Sequence, residues 1–143
     1  MSSAIDVAVI GVGLVGSAVL KQLATVPSLS ALKVVALQNS RKTLLAAPGQ
    51  HLALDHWQAQ LESGSSPALS LEQLVSELQA IQAKNRRHIA VVDNTSNDTV
   101  AGFYPSFLRA GFSVVTPNKK AFSGSVDLFS AMEEAKESDC LLY

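Results

Sequence analysis

Uninterrupted apolar runs alternate along this chain with segments whose apolar positions recur at helical spacing. Val7, Ala8, Val9 and Ile10 are apolar without a break, which predicts a strand covered on both faces, as a central parallel strand is. Val15, Val19, Leu20, Leu23 and Val26 then follow a helical period, and Pro27 predicts its end. Val34, Val35, Ala36 and Leu37 predict a second strand that breaks into the polar stretch Gln38, Asn39, Ser40, Arg41, Lys42. Residues 43–67 are the least regular, with turn signals at Pro48-Gly49 and across residues 63–66; Trp57 and Leu61 anchor a short helix there. Ser70 and Gln73 have capping-box spacing ahead of a helix face made of Leu71, Leu74, Val75, Leu78 and Ile81. Ile89, Ala90, Val91 and Val92 predict another strand. Val100, Tyr104, Phe107 and Leu108 predict one helix closed by Gly111 just past its end, and residues 112–115 a further strand. A last helix is expected from Ser125 to Lys136, and Cys140, Leu141, Leu142 and Tyr143 read as an unfinished strand.

This alternation predicts an α/β fold, Rossmann-like, with a mostly parallel sheet and helices on both faces. The 143 residues fit a single domain that needs no disulfide or metal staple. With 48% hydrophobic and 16% charged residues the chain belongs with globular proteins and not disordered ones. A formal net charge of −1 supplies no electrostatic case for nucleic acid or an anionic membrane as partner. The single cysteine, Cys140, has no internal disulfide partner, which fits a reducing compartment. The N-terminus lacks a basic, then apolar, leader and no run is long enough to span a membrane, so a cytoplasmic location is expected.

The candidate chemistry begins at Gly11-Val12-Gly13-Leu14-Val15-Gly16, directly between the first strand and the first helix. Such a turn uses one glycine to bend sharply, one to let a pyrophosphate approach the backbone, and one to pack helix against strand. The helix N-terminus adds free N–H groups and partial positive charge. The motif alone is weak because turns use glycine everywhere; the strand–turn–helix setting makes dinucleotide binding the stronger reading.

The end of the second strand separates NAD from NADP. An acidic residue there would bind the ribose 2′-hydroxyl and repel a 2′-phosphate. Here Ser40 offers a hydroxyl, Arg41 a planar fork matched to phosphate, and Lys42 a point charge. A solvated basic turn is the plainer alternative. The absent acid favours NADP(H) as preferred cofactor, with NAD(H) still accepted.

Two further polar segments fall at strand ends, where open α/β sheets bind ligands: Asp93-Asn94-Thr95-Ser96 and Thr116-Pro117-Asn118-Lys119-Lys120. Thr95 and Ser96 are candidates for ribose or pyrophosphate contact, or simply for capping the next helix. Asp93 reads as an orienting residue rather than a base. A lysine beside a nicotinamide can pass a proton to a developing alkoxide, although from spacing alone an ordinary exposed lysine is the plainer reading of Lys119. His51, His56 and His88 show no metal spacing and no nucleophile partner, and each is read as solvated.

Residues 7–17, Val92-Asp93-Asn94-Thr95-Ser96, Ala101-Gly102-Phe103-Tyr104, and above all Thr116-Pro117-Asn118-Lys119-Lys120-Ala121-Phe122-Ser123 resemble homoserine dehydrogenase of the fungal, monofunctional kind. The likeness runs the length of the chain except for residues 43–67, and Asn39-Ser40-Arg41 resembles the NADP-type sequence of several members. The resemblance implies an NAD(P)-dependent oxidoreductase that interconverts L-homoserine and L-aspartate 4-semialdehyde on the route to threonine and methionine. It implies Lys119 as the catalytic lysine in proton transfer at the substrate oxygen. The glycine turn, Thr95, Ser96, Asn118 and Lys119 become cofactor contacts. It also implies that the substrate and dimerisation region lies beyond Tyr143, so these residues alone are expected to be inactive and the full-length enzyme to be a homodimer. Two alternatives stand beside it: a stand-alone NADP-sensing or interaction domain, and the nucleotide-binding domain of another semialdehyde reductase. The Thr116-Pro117-Asn118-Lys119-Lys120 segment argues against the second.

Overall fold

A computed structural model describes residues 4–64 and 66–117. The chain runs β1 (Ile5–Ile10), α1 (Leu14–Thr25), β2 (Leu32–Gln38), β3 (Lys42–Leu45), α2 (Trp57–Ser63), β4 (Ser66–Pro67), α3 (Leu71–Asn85), β5 (Ile89–Asp93), α4 (Asp98–Gly102), α5 (Tyr104–Arg109) and β6 (Ser113–Val115). These strands form one sheet in the order β4-β3-β2-β1-β5-β6.

β1 pairs in parallel with β2 on one side and β5 on the other, and β6 extends the parallel set beyond β5. The chain leaves β1 for β2 in one direction and later crosses to β5 in the other. The carboxyl ends of β1 and β5 therefore flank the point where strand order reverses, and a crevice opens there in sheets of this kind. Burial of Asp6 to Ile10 in β1 and of Val34 to Gln38 in β2 is continuous. Such strands are covered on both faces, as the uninterrupted apolar runs predicted.

The other half of the sheet departs from the parallel pattern. β3 folds back antiparallel to β2 and β4 pairs antiparallel with β3, so the irregular stretch contributes two antiparallel strands, with β4 at the edge of the sheet, and α2. Trp57 and Leu61 are the buried residues of α2 and anchor it to the core, as expected. The turn from β2 to β3 is closed by Asn39, whose N–H donates to the Lys42 carbonyl and whose Oδ1 accepts from the N–H groups of Arg41 and Lys42, at 2.8 and 2.7 Å. An asparagine suits this place because its side chain can imitate a backbone turn.

The single helix expected over residues 100–108 is two short ones. Pro105 lies in the first turn of α5. It has no N–H to give to a preceding turn and its ring collides with the carbonyl four residues back, so the helix restarts at Tyr104. Gly111, with φ of 90°, then ends α5 in the left-handed conformation glycine adopts without cost. α3 carries the full capping box: Ser70 Oγ accepts from Gln73 N–H, and Gln73 Oε1 accepts from Ser70 N–H. No helix among the described residues is long and apolar enough to cross a membrane.

Candidate cofactor-binding site

A cleft of about 790 Å³ opens at the carboxyl ends of β1, β2 and β5, lined by the glycine turn, the β2–β3 turn, the start of α3 and the β5–α4 connection. Its size falls within the range of roughly 300–1,000 Å³ usual for cofactor clefts.

The three glycines have three different reasons to be there. Gly11 has φ of 89°, and a Cβ on it would lie 2.8 Å from Thr95 Cγ2. Gly16 is pressed against β1: a Cβ would lie 3.0 Å from the Gly11 carbonyl carbon, closer still to its oxygen, and 3.5 Å from Asn94 Nδ2. Gly13 differs, because a Cβ there would meet nothing within 4 Å. No packing demand explains a glycine at position 13, whereas a ligand needing backbone approach does. Gly13 is also the N-cap of α1 and no side chain caps that end. The first N–H groups of α1 thus keep their donors for an anion. Leu14 and Val15 form this first turn and are 92% and 53% exposed; like Gly16, they fall outside the residues that line the cleft.

At the β5 end, Asp93 is fully buried and acts as an organiser. Its Oδ1 accepts from the N–H and Oγ1 of Thr95, at 2.8 and 2.6 Å, and its Oδ2 accepts from the Tyr104 hydroxyl. Thr116 Oγ1 donates to the Asp93 carbonyl oxygen at 2.8 Å and lies 3.0 Å from the Tyr104 hydroxyl. One carboxylate therefore shapes the Thr95 turn and, through Tyr104, fastens the exit of β6. Thr95 and Ser96 both line the cleft. Asn94 Nδ2 is buried beside the glycine turn with no hydrogen-bond partner among the described residues. A buried donor without a protein partner, beside a helix N-terminus that no side chain caps, fits a site built for an acceptor-rich ligand.

Of the basic stretch, Ser40 lines the cleft together with Gln38 and Asn39. Arg41 is exposed at the tip of the β2–β3 turn, outside the lining set. Lys42 is placed away from it: as the first residue of β3 its Nζ donates to the carbonyl oxygen of Glu62, at the far end of α2. Asn118, Lys119, the helix expected over residues 125–136 and Cys140 lie outside the described residues.

His88 corrects an expectation. It is half-buried, and its Nε2 shares a 2.7 Å hydrogen bond with Ser113 Oγ, linking the residue before β5 to the first residue of β6. That pair sits at the amino ends of the strands, opposite the cleft. Asp6 serves the same edge, accepting from Asn85 Nδ2 at 2.8 Å and Arg87 Nη1 at 3.3 Å. Neither arrangement announces itself in sequence, because the partners are distant along the chain and meet only through strand pairing.

Strand order, crevice and glycine geometry together define a dinucleotide-binding domain of the Rossmann type. Residues 11–143 match the family model described as homoserine dehydrogenase, NAD binding domain. The chain is 34% identical over 140 residues to homoserine dehydrogenase of Saccharomyces cerevisiae, spanning 97% of this chain and 38% of that protein. It is 38% identical to the homoserine dehydrogenase of Emericella nidulans, spanning 100% of this chain and 39% of that one. Among solved structures, a protein of unknown function from Candida auris superposes with a TM-score of 0.84 at 34% identity, over 98% of this chain and 38% of that one. A hyperthermophilic archaeal homoserine dehydrogenase in complex with NADPH shares the fold, with a TM-score of 0.70 at 20% identity, over 98% of this chain and 43% of that one. The chain belongs to the homoserine dehydrogenase NAD-binding domain family.

Proposed function

We propose that this chain is the NADP(H)-binding domain of an enzyme interconverting L-homoserine and L-aspartate 4-semialdehyde. The observation that carries the cofactor half is the combination of an open Gly13 backbone with a β2 end, Gln38-Asn39-Ser40-Arg41, that has no carboxylate. The first turn of α1 binds the pyrophosphate through N–H groups. Ser40 donates to the 2′-phosphate and Arg41, exposed beside it, closes over the phosphate with its guanidinium. Lys42 adds positive charge at the base of that turn while its Nζ holds the end of α2.

When bound, the nicotinamide supplies or accepts hydride. Thr95 and Ser96 border its end of the cleft, on the turn that Asp93 organises. Asn118 and Lys119 come two and three residues after Thr116, whose hydroxyl is tied to Asp93, so the chain enters that segment from a fixed point. Lys119 transfers the proton at the substrate oxygen, the role its motif carries in the family resemblance. The substrate-binding region belongs to the part of the relatives that this chain does not span, and activity and dimerisation are assigned to the longer protein. The setting proposed is cytoplasmic threonine and methionine biosynthesis.

The test has two arms. NADPH and NADH are titrated against the chain, and homoserine oxidation is assayed for it and for a version carrying a fungal relative's downstream region after Tyr143. Tighter NADPH binding, with activity only in the longer version, is the expected outcome. Equal affinities remove the 2′-phosphate assignment, and a longer version that binds cofactor but leaves homoserine untouched removes the reaction.

A further inference from the structure

The β2 end holds a second device that the basic turn does not account for. Gln38 is 7% exposed and lines the cleft at the position where an NAD-selective domain carries its acid. Both ends of its amide are engaged by protein. Thr43 Oγ1 donates to Gln38 Oε1 at 2.6 Å, and Gln38 Nε2 donates to the Leu69 carbonyl at 3.2 Å. The circuit closes because Leu69 N–H donates to Thr43 Oγ1 at 3.0 Å. Thr43 is 1% exposed and does not line the cleft, whereas Leu69 does, as do Ser70 and Leu71 at the start of α3.

Three segments are thereby clamped around the β2 end of the cleft. β2 supplies Gln38, β3 supplies Thr43, and the β4–α3 connection supplies Leu69. An amide oxygen at the end of β2 is the neutral counterpart of the carboxylate that accepts from an unphosphorylated ribose. Here the Thr43 hydroxyl, which does not line the cleft, takes one of that oxygen's two lone pairs and so orients the amide toward β3. A buried amide deprived of its partner seeks another, and the 2′-hydroxyl of NADH is the donor nearest in kind.

We propose that Thr43 is a positioning residue for cofactor selection: by occupying Gln38 Oε1 and holding Leu69, it withholds from NADH the acceptor that would recognise its free ribose. The inference rests on the 2′-phosphate reading above and adds to it a residue that never touches the cofactor. In Thr43→Val the side-chain volume is kept while the hydroxyl is lost. Gln38 Oε1 is released and the wall at Leu69 loosens, so NADH gains relative to NADPH.

The experiment measures dissociation constants for NADPH and NADH by nicotinamide fluorescence on the whole chain, in wild type, Thr43→Val and Thr43→Ser, with thermal melts as a check on folding. The NADPH-over-NADH preference falls about fivefold or more in Thr43→Val, the scale of one exchanged hydrogen bond. It stays at the wild-type ratio in Thr43→Ser, which keeps a hydroxyl. If Thr43→Val weakens both cofactors by the same factor, the residue is merely structural and the proposal is overturned. Thr43→Ala, smaller and likewise without the hydroxyl, carries the test if Thr43→Val does not fold: the same fall in NADPH preference is expected, and an unchanged ratio overturns the proposal. A wild type without NADPH preference overturns the underlying reading instead, a result distinct from either variant's.

Discussion

Gly16 and Gly11 touch backbone to backbone: a Cβ on Gly16 would lie 3.0 Å from the carbonyl carbon of Gly11 and nearer still to its oxygen. That approach brings the first turn of α1 down onto the turn that leaves β1. Gly16→Ala pushes the helix off the strand, and because backbone atoms cannot step aside the expected cost is ~3 kcal/mol or more. Gly13→Ala meets no protein atom within 4 Å and leaves thermal stability close to wild type. It places a methyl group where the pyrophosphate approaches, so cofactor affinity drops roughly tenfold or more. Chemical denaturation and cofactor titration of the two variants separate the roles; a Gly13→Ala protein that binds normally would falsify the phosphate assignment.

Arg41 is tested by charge. Arg41→Ala is expected to weaken NADPH about tenfold while NADH changes less than about twofold, because only NADPH carries the 2′-phosphate. Raising salt from 50 to 500 mM should narrow that gap, roughly as screening shortens the reach of an exposed guanidinium. Equal losses for both cofactors would count against a 2′-phosphate contact.

Tyr104 ties two strand ends through Asp93 and Thr116. Tyr104→Phe keeps the ring and removes the hydroxyl, leaving an oxygen of buried Asp93 short of a donor. A loss of ~1–3 kcal/mol is expected, the cost of an unsatisfied buried polar group. Because the same hydroxyl steadies the exit of β6, amide exchange at residues 113–116 should rise more than in β1. Uniform protection throughout would show that Thr116 needs no help from Tyr104.

At the opposite edge, Arg87 supplies one of the donors to Asp6. The guanidinium is 36% exposed and Asn85 remains as partner, so Arg87→Ala is expected to cost only about 1 kcal/mol. Cofactor affinity should not move, since this pair lies at the amino ends of the strands. A binding defect would mean that the two edges of the sheet are coupled.

Local rules account for most of what was legible beforehand. The apolar run of β1, the glycine turn and the period of α1 each declare themselves within a few residues. The Ser70–Gln73 box does so as well, and the structure has both of its hydrogen bonds. Pro105 was equally legible as a break in the helix over residues 100–108, yet the apolar period over that stretch points the other way. The proline prevails because a missing N–H and a ring collision outweigh amphipathic spacing.

Residues 43–67 show why local rules fail elsewhere. Nothing in their pattern demands antiparallel strands; β3 forms because Asn39 turns the chain back and β2 offers an open edge. His88 with Ser113, and Gln38 with Thr43 and Leu69, pair across 25, 5 and 31 residues of sequence.

By itself, then, the sequence determined the central strands, the glycine turn and the family, because periodicity, glycine placement and short motifs act over one turn of helix or one strand. Tertiary structure alone decided which side chains meet. It sent Lys42 to α2, left Ser40 at the cleft, buried Asp93 as the organiser of the β5 end, and closed the Gln38–Thr43–Leu69 circuit. Hydrogen bonds between distant residues exist only once the sheet has brought their strands into register, and no local pattern encodes that register.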